Sequence, residues 1–298
     1  MMKKEQTTKK KFFTNDRVFN TINTALIALF VFMVLYPVFY TFAASISSGR
    51  AVDTGLVTFL PVEVTLSAYR STIADAMFWR SYWNAIFITV FGTLFSMFIS
   101  LTGSYTLSKK DLVGHRFLNL LLVMTMWFSA GMIPMFVNFQ ELGMLNSHWG
   151  LIVGFGVSAF NIILLRGAFG GISSEMFEAA KIDGANELQV FYKIAVPSIK
   201  PTMVTVWVMY AISRWNGFFW AQIMLQEIEL VPLQVYLRRI IIDREANMEF
   251  LQVAGEVTHS QSTLIYAVIV LSMIPILVIF PYLQRFFKKG LMDGGVKE

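Results

Sequence analysis

Long runs of apolar residues dominate this chain and restrict it to folds that can be embedded in a lipid bilayer. Six such runs lie at about residues 18–45, 82–107, 117–137, 150–165, 201–225 and 264–287. A helix of about 20 apolar residues crosses the hydrocarbon core, where only helices and closed barrels satisfy their backbone hydrogen bonds. With 56% hydrophobic and 14% charged residues, the chain has too little polar surface to coat a soluble domain of 298 residues. We therefore predict an all-α, polytopic membrane protein with six transmembrane helices.

Positive charges are distributed unevenly between the predicted loops. Of the Lys and Arg residues, 17 lie at the two ends of the chain and in the loops 109–116 and 166–200, whereas six lie in the other loops. Cytoplasmic segments carry such an excess in membrane proteins. We predict a multi-pass protein of the cell membrane with both termini in the cytoplasm: a tail of residues 1–17, a membrane domain of residues 18–287 and a tail of residues 288–298. The excess of Lys and Arg in the cytoplasmic segments then accounts for the net charge of +5, and no nucleic-acid partner is expected.

Residues 166–200 form a polar, helix-prone insert between two apolar runs. Its first helix is predicted to be capped by Ser174 and to end at Gly184, which can adopt the left-handed turn. Ala179 and Ala180 lie within this helix, and their small side chains permit close approach of another surface.

A second short helix is predicted to follow in the same insert. Asn186 and Gln189 have the spacing of a capping box, and Pro197 is predicted to stop the helix. Two short helices joined at an angle offer a shape that a partner can hold. The alternative interpretation is an ordinary amphipathic cytoplasmic loop rich in Ala and Glu.

The insert also contains a spaced set of residues, namely Glu178, Ala179, Ala180, Asp183, Gly184, Ala185, Phe191, Ile194, Pro197 and Pro201. This set resembles the EAA loop of ABC importer permeases, in the form found in carbohydrate-uptake permeases of the maltose type. Stretches at residues 131–134, 142–146, 158–161 and 215–219 resemble the same family. The end of the chain, residues 281–290, is similar to the subgroup that handles oligosaccharides or polysaccharide fragments. We refer to residues 166–200 as the EAA loop.

The resemblance implies the type I ABC importer permease fold and a role as one subunit of an ATP-driven sugar importer, with an oligosaccharide as the expected cargo. It implies a heterodimer with a second permease, two ABC ATPase subunits coupled through the EAA loop, and an extracytoplasmic solute-binding protein. The chain contains no GxxxxGK[ST] sequence, so ATP is expected on the partner subunits and no cofactor on this chain. The chain is therefore predicted to be a transport subunit and not an enzyme.

Arg214 is the one charge placed within a predicted span, where an ionisable group is costly unless it faces water, a partner or a cavity. Trp215 and Asn216 beside it supply a flat apolar face and an amide, which suit the C–H faces and hydroxyls of a pyranose. We assign these three residues and Asn161 to the substrate path. In the alternative interpretation Arg214 reaches the interface or pairs with a carboxylate of a partner subunit, while Trp215 and Asn216 pack between helices. In maltose-type pairs the companion permease makes most of the sugar contacts.

Other functional classes leave signatures that can be compared with the sequence. A secondary transporter or channel, the main alternative, is expected to hold an acidic group within a span, and no Asp or Glu lies in the middle of a predicted span. A membrane enzyme is expected to show paired acids, a Ser–His set or a His cluster, and the sequence shows none of these. The chain has no Cys, and its three His residues lie in different loops, so no metal site is expected.

Overall fold

The computed structural model describes residues 13–242 and 261–293, and the regular structure in these two ranges is entirely helical. The helices are α1 (Phe13–Ser45), α2 (Gly49–Asp53), α3 (Ser67–Ala74), α4 (Ala76–Ser108), α5 (His115–Trp127), α6 (Met132–Glu141), α7 (His148–Gly154), α8 (Ala159–Gly170), α9 (Ser174–Ile182), α10 (Glu187–Val190), α11 (Val196–Ser198), α12 (Lys200–Trp215), α13 (Phe219–Met224), α14 (residues 233–242) and α15 (Gln261–Asp293). The all-α prediction is confirmed.

Three unbroken helical segments are long and apolar enough to cross a membrane: Val18–Ser45, Ala76–Ser108 and Ser262–Ile279. Three bent helix pairs also meet this test together. They are α5 with α6, α7 with α8, and the segment Glu187–Ser198 with α12, bent by 114°, 50° and 83°. When each bent pair is counted as one span, the described residues hold up to six spans, the predicted number. The third pair differs from the predicted fifth span, residues 201–225, because it includes Glu187–Ser198 of the EAA loop and its second helix ends at Trp215.

The third predicted span, residues 117–137, is broken more sharply than its sequence suggests. α5 ends at Trp127, and Gly131 precedes α6 with a φ of +85°, which a residue with a side chain rarely adopts. Pro134 lies in the first turn of α6, where its missing N–H costs no helical hydrogen bond. The reversal is therefore set by the irregular backbone of residues 128–131 and not by the proline.

The chain divides into two compact units, so the predicted membrane domain of residues 18–287 comprises parts of both. Within the described residues, the first unit contains α1, α2, most of α3 and the start of α15. Its small core holds Ala43, Ala44, Ala51, Val52 and Val57. Most apolar side chains of α1 are exposed, as expected for a helix that faces lipid or another subunit.

The second unit is built around α4, which packs mainly against α8 and α12. Small residues recur on the buried face of α4 at intervals of four or seven positions: Ser81, Ala85, Gly92, Ser96, Ser100 and Ser104. Such residues let helices approach closely in a membrane, where apolar burial alone does not drive association. The spacing therefore gives α4 one continuous packing surface for both neighbours.

The ends of the chain differ from their predicted limits. α1 begins at Phe13, inside the predicted tail of residues 1–17, of which residues 1–12 lie outside the described residues. α15 continues to Asp293, beyond the predicted end of the last span at residue 287 and into the predicted C-terminal tail. The tail beyond residue 293 and the predicted loop segment 243–260, which includes Arg244 and His259, also lie outside the described residues.

Candidate functional site

The EAA loop folds as two helical segments, of which the first is α9. Ser173 is its N-cap, and the Ser173 Oγ accepts a hydrogen bond from the backbone N–H of Glu175 at 3.3 Å. The cap predicted at Ser174 is therefore wrong by one position, because Ser174 is already helical.

α9 ends in the predicted left-handed turn. Gly184 has a φ of +76°, and the backbone N–H of Ala185 donates to the carbonyl of Ala180 at 2.9 Å. This bond satisfies a carbonyl that the helix end would otherwise leave unpaired. The prediction at Gly184 is confirmed.

The second segment of the EAA loop starts as predicted but ends differently. Asn186 and Gln189 form a capping box, with N···O distances of 3.0 and 2.9 Å. The stop predicted at Pro197 is one residue early, because a π-helical turn at Phe191–Ala195 leads into α11, which contains Pro197 and ends at Ser198. The wider turn changes the hydrogen-bond spacing just before the residue that lacks a backbone donor. The chain changes direction only after α11, where α12 leaves at 83°.

The two alanines predicted as a contact surface lie on different faces of α9. Ala180 is only 6% exposed, so it packs within the chain itself. Ala179 is exposed and shares its face with Met176 and Ile182, which are 46% and 86% exposed. The surface that α9 offers to a partner is therefore the stripe Met176, Ala179 and Ile182, and the assignment of Ala180 to that surface is corrected.

The other residues of the EAA pattern near α9 are mostly exposed. Glu178, within α9, is exposed, as are Asp183 and Gly184 just after it, whereas Ala185 is half-buried. Leu188, in the second segment, is 72% exposed. The loop thus combines exposed apolar side chains with exposed carboxylates.

An ion pair connects the second segment of the EAA loop to the end of α4. The Nζ of Lys109 lies 2.5 Å from Oε2 of Glu187, and the hydroxyl of Tyr105 donates to the same oxygen at 3.2 Å. Lys181 of α9 also approaches Glu187, at 4.0 Å. Glu187 therefore links α4, α9 and α10, a connection that sequence analysis missed because the partners are far apart in the chain.

A cavity of about 740 Å³ lies within the second unit and is lined mainly by residues of α7, α8, α12, α13 and the segments between them, with one residue each from α4 and α6. Three of the four predicted path residues line it: Asn161, Arg214 and Asn216. Sequence analysis missed the rest of its polar and aromatic lining, which includes Ser158, Tyr210, Ser213, Phe155, Phe160, Phe218, Phe219 and Trp220. We refer to this space as the membrane cavity.

The guanidinium of Arg214 is bound to the end of a broken helix. Its Nη1 donates to the carbonyl of Leu151 at 2.8 Å, and its Nη2 donates to the carbonyls of Ile152, at 3.3 Å, and Phe155. Its Nη2 also donates to the Oγ of Ser96 at 3.2 Å. α7 ends inside the span, where the last carbonyls of a helix lack some of their helical partners, although the carbonyl of Leu151 also accepts from the backbone N–H of Phe155 at 3.4 Å. A cation there also complements the helix dipole. Arg214 therefore stabilises the break while it lines the membrane cavity.

Trp215 is separated from the other predicted path residues. It is only 6% exposed and lines a second, mainly apolar cavity of about 130 Å³, together with Thr93 and Pro275. Its indole N–H has no hydrogen-bond partner among the described residues. The geometry therefore places Trp215 in helix packing, as the alternative interpretation held, and gives no support for a place on the cavity wall.

Asn161 is held at the start of α8 by a short polar network. The Ser158 Oγ accepts from the backbone N–H of Asn161 at 3.4 Å, and the backbone N–H of Ser158 donates to the hydroxyl of Tyr210 at 3.2 Å. That hydroxyl lies 2.7 Å from the Oγ of Ser100. The network joins α4, α8 and α12 next to the membrane cavity.

The segment after α13 is anchored to α4 at two places. The Nδ2 of Asn84 donates to the carbonyl of Glu229 at 2.8 Å, and the hydroxyl of Tyr236 in α14 donates to the carboxylate of Asp75. Burial and this hydrogen bond both raise the pKa of Tyr236 above its ordinary value, so the donor stays protonated at neutral pH. α14 is thereby fixed, and its Arg238 lies 5.4 Å from the ring centroid of Phe218 at the cavity wall.

The described residues contain no group of three or more His, Cys, Asp or Glu side chains positioned to hold a metal ion. Of the histidines there, His148 has its Nε2 2.7 Å from the carbonyl of Leu230, and His115 lies beside Asn119. Both contacts are structural.

Residues 9–293 match the family described as binding-protein-dependent transport system inner membrane component. The chain belongs to this family. This membership establishes a transport component of a membrane.

Similar proteins agree with this membership. The chain is 35% identical over 283 residues to the polygalacturonan/rhamnogalacturonan transport system permease protein YtcP of Bacillus subtilis (strain 168), covering 95% of this chain and 99% of the relative. It is 26% identical over 282 residues to the arabinooligosaccharides transport system permease protein AraQ of Halalkalibacterium halodurans, covering 93% of this chain and 95% of that protein.

Among solved structures, the chain resembles one from a bacterial ABC transporter involved in the import of the acidic polysaccharide alginate. The sequence identity is 43%, the TM-score is 0.86, and the match covers 94% of this chain and 100% of the other. The predicted type I ABC importer permease fold is confirmed, and this member of the binding-protein-dependent family is an ABC importer permease.

Proposed function

We propose that this permease carries an oligosaccharide across the cell membrane, along a path that it forms with a second permease. The observation that carries the proposal is the membrane cavity, whose lining combines aromatic rings with amides and hydroxyls. Pyranose and furanose units present C–H faces and hydroxyls, which such linings complement by stacking and hydrogen bonding. Asn161 and Asn216 are the proposed hydrogen-bonding residues, and Arg214 maintains the shape of the wall.

The names of the similar proteins support an oligosaccharide, and those of the more similar ones support an acidic one. One solved relative takes part in the import of the acidic polysaccharide alginate, and YtcP is named for polygalacturonan and rhamnogalacturonan, which contain galacturonate units. AraQ, which is less similar, is named for arabinooligosaccharides, and arabinose units carry no carboxylate.

Coupling to ATP hydrolysis is proposed to run through the EAA loop. Met176, Ala179 and Ile182 form an exposed apolar stripe on α9, which suits insertion into a groove of a cytoplasmic ATPase. Glu178 and Asp183 are exposed beside it and suit pairing with basic groups or backbone donors. Movement of α9 reaches α4 through the contact between Glu187 and Lys109.

The complete importer is proposed to contain a heterodimer of permeases, two ATPase subunits that bind the ATP, and an extracytoplasmic solute-binding protein. The absence of a GxxxxGK[ST] sequence supports separate ATPase subunits. The family description supports dependence on a binding protein. The distribution of Lys and Arg supports cytoplasmic termini and a cytoplasmic EAA loop.

The proposal can be tested by reconstituting this permease with its companion permease, the ATPases and the binding protein in proteoliposomes. Radiolabelled oligosaccharides should accumulate only when ATP is present on the ATPase side, and ionophores should not abolish the accumulation. Accumulation that follows a proton or sodium gradient without ATP would instead establish the secondary-transporter alternative.

A further inference from the structure

We propose that the cavity beside Trp215 binds a small amphiphile with one hydroxyl, a phenol or a short alcohol. This cavity of about 130 Å³ lies in the second unit, between α4, α12 and the part of α15 that belongs to this unit. We refer to it as the Trp215 cavity. The inference goes beyond sugar import and is carried by unpaired polar atoms that cluster around this one space.

The unpaired polar atoms are concentrated at the Trp215 cavity. Five buried side-chain N or O atoms have no hydrogen-bond partner among the described residues, and three of them belong to residues that line this cavity. They are the hydroxyls of Thr89 and Thr93 and the indole N–H of Trp215. Thr93 is 1% exposed and Trp215 is 6% exposed. Buried polar groups are nearly always paired, because an unpaired one loses its hydration without compensation. Three such atoms around one space therefore indicate that a partner belongs there.

Other threonines of α4 satisfy their hydroxyls within the helix. The Oγ1 of Thr102 donates to the carbonyl of Phe98 at 2.9 Å, and that of Thr106 donates to the carbonyl of Thr102 at 2.9 Å. The hydroxyls of Thr89 and Thr93 form no such bond. Threonine divides between two rotamers in a helix, so each hydroxyl can turn toward the cavity and bond to an occupant.

The rest of the cavity wall is apolar and restricts the chemistry of the occupant. It consists of aliphatic side chains and Trp207, namely Val90, Trp207, Val208, Ala211, Ile212, Pro275, Ile276 and Ile279. An apolar cavity of about 150 Å³ inside a protein stays dry and takes up benzene. Water alone would therefore suit the three polar atoms but not the walls.

A hydroxylated amphiphile satisfies both parts of the Trp215 cavity. The acyl chain of a lipid would suit the walls and leave the three polar atoms unpaired. A body of about the size of benzene fills the apolar part, and one hydroxyl can accept from the indole N–H of Trp215 while it donates to a threonine oxygen. An apolar pocket with a few polar groups that fix the orientation of the ligand is the usual form of a small-molecule site.

The test compares two probes of similar shape that differ in one group. 4-Fluorophenol carries a hydroxyl where 4-fluorotoluene carries a methyl group, and fluorine NMR reports the binding of each probe. The complete importer, with its companion permease, ATPases and binding protein, is placed in nanodiscs of phosphatidylethanolamine and phosphatidylglycerol. Empty nanodiscs give the partition of each probe into lipid. The measured quantity is the ratio of the two dissociation constants after this correction.

The parental importer should bind 4-fluorophenol about tenfold more tightly than 4-fluorotoluene. Thr93→Val and Thr89→Val each remove a hydroxyl and keep the shape of the side chain, and each should reduce this preference about fivefold, since a buried hydrogen bond is lost. Thr106→Val is the matched control. It removes a hydroxyl of the same helix that is bonded to Thr102 and lies outside the lining of the Trp215 cavity, and it should change the ratio by less than about twofold. Ala211→Leu fills the cavity and should abolish the binding of both probes.

Four outcomes would overturn the inference. They are binding of neither probe beyond its partition into lipid, equal or weaker binding of the phenol, a parental ratio in both Thr93→Val and Thr89→Val, and undiminished binding in Ala211→Leu. The first outcome would assign the three polar atoms to water, and the second would assign the cavity to apolar molecules such as acyl chains. Sugar import is a separate measurement and stands or falls independently of these results.

Discussion

Lys109 and Glu187 form a contact of 2.5 Å between the end of α4 and the second segment of the EAA loop. Both side chains are partly exposed, so the pair contributes little to overall stability. The position of the pair matters more. It connects the EAA loop, which is proposed to bind an ATPase, with α4, the central helix of the second unit.

A double-mutant cycle tests this link. Lys109→Gln and Glu187→Gln should each reduce uptake per ATP hydrolysed, and the double variant should be no worse than either single variant. The thermal unfolding temperature should change little, since exposed pairs are worth about 0.2–1 kcal/mol. Strictly additive losses in coupling would show that the two residues act independently.

Arg214 is predicted to be necessary for the broken span. Arg214→Leu removes the guanidinium donors from the carbonyls of Leu151, Ile152 and Phe155. The carbonyl of Leu151 keeps a backbone donor, and each buried carbonyl that is left unsatisfied costs about 1–3 kcal/mol. We expect a lower unfolding temperature in detergent and loss of uptake, whereas Arg214→Lys should recover part of both. An Arg214→Leu complex that unfolds and transports like the parent would contradict this role.

Ala180 and Ile182 should respond to substitution in opposite ways. Ala180→Trp places a large side chain at a buried position and should lower the stability of the permease itself. Ile182→Asp changes a side chain that is 86% exposed and should leave stability unchanged while releasing the ATPase subunits during co-purification. Retention of the ATPases by Ile182→Asp would exclude the proposed contact stripe.

Gly184 provides a test of backbone conformation in the EAA loop. Its φ of +76° costs a residue with a side chain about 1–2 kcal/mol, whereas Asn tolerates this region better. Gly184→Val should therefore uncouple ATP hydrolysis from uptake, and Gly184→Asn should retain most of the coupling. Equal behaviour of the Val and Asn variants would mean that the turn does not determine the angle between the two segments.

The proposed orientation can be measured by single-cysteine labelling, because the chain has no native Cys. A cysteine at Ser173 should react with a membrane-impermeant maleimide only in opened cells or inverted vesicles. A cysteine at Val64, 67% exposed in a predicted outside loop, should react in intact cells and serves as the control. Labelling of the Ser173 position from outside would reverse the proposed topology.

Local signals in the sequence were sufficient to predict much of the EAA loop and the number of spans. The capping box at Asn186 and the turn at Gly184 depend on residues within a few positions of each other, so their spacing predicts them. The stop predicted at Pro197 came one residue early, because a π-helical turn just before it lets the proline lie inside α11, and the sequence gives no local signal for such a turn.

The membrane cavity was only partly predictable, for geometric reasons. Adjacent residues on a helix point about 100° apart, so Trp215 could be expected to leave the face that Arg214 occupies. The role of Arg214 at the end of α7 depends on a helix break, and the sequence shows only glycines near it. At Gly154 a Cβ would lie 2.7 Å from the ring of Phe139, so the glycine leaves room for this ring. Because Phe139 is distant from Gly154 in the sequence, the contact could not be predicted from local sequence patterns.

The row of small residues on α4 restricts the number of residues that this helix can contain. Between Ser81 and Ser104, one inserted or deleted residue would rotate everything beyond it by about 100°. An insertion before Phe91, for example, would move this 43% exposed side chain to the position of Gly92, on the face that packs against α8 and α12. Natural variation in chain length is therefore expected to collect in the connecting loops, while α4 keeps its residue count even where its side chains diverge.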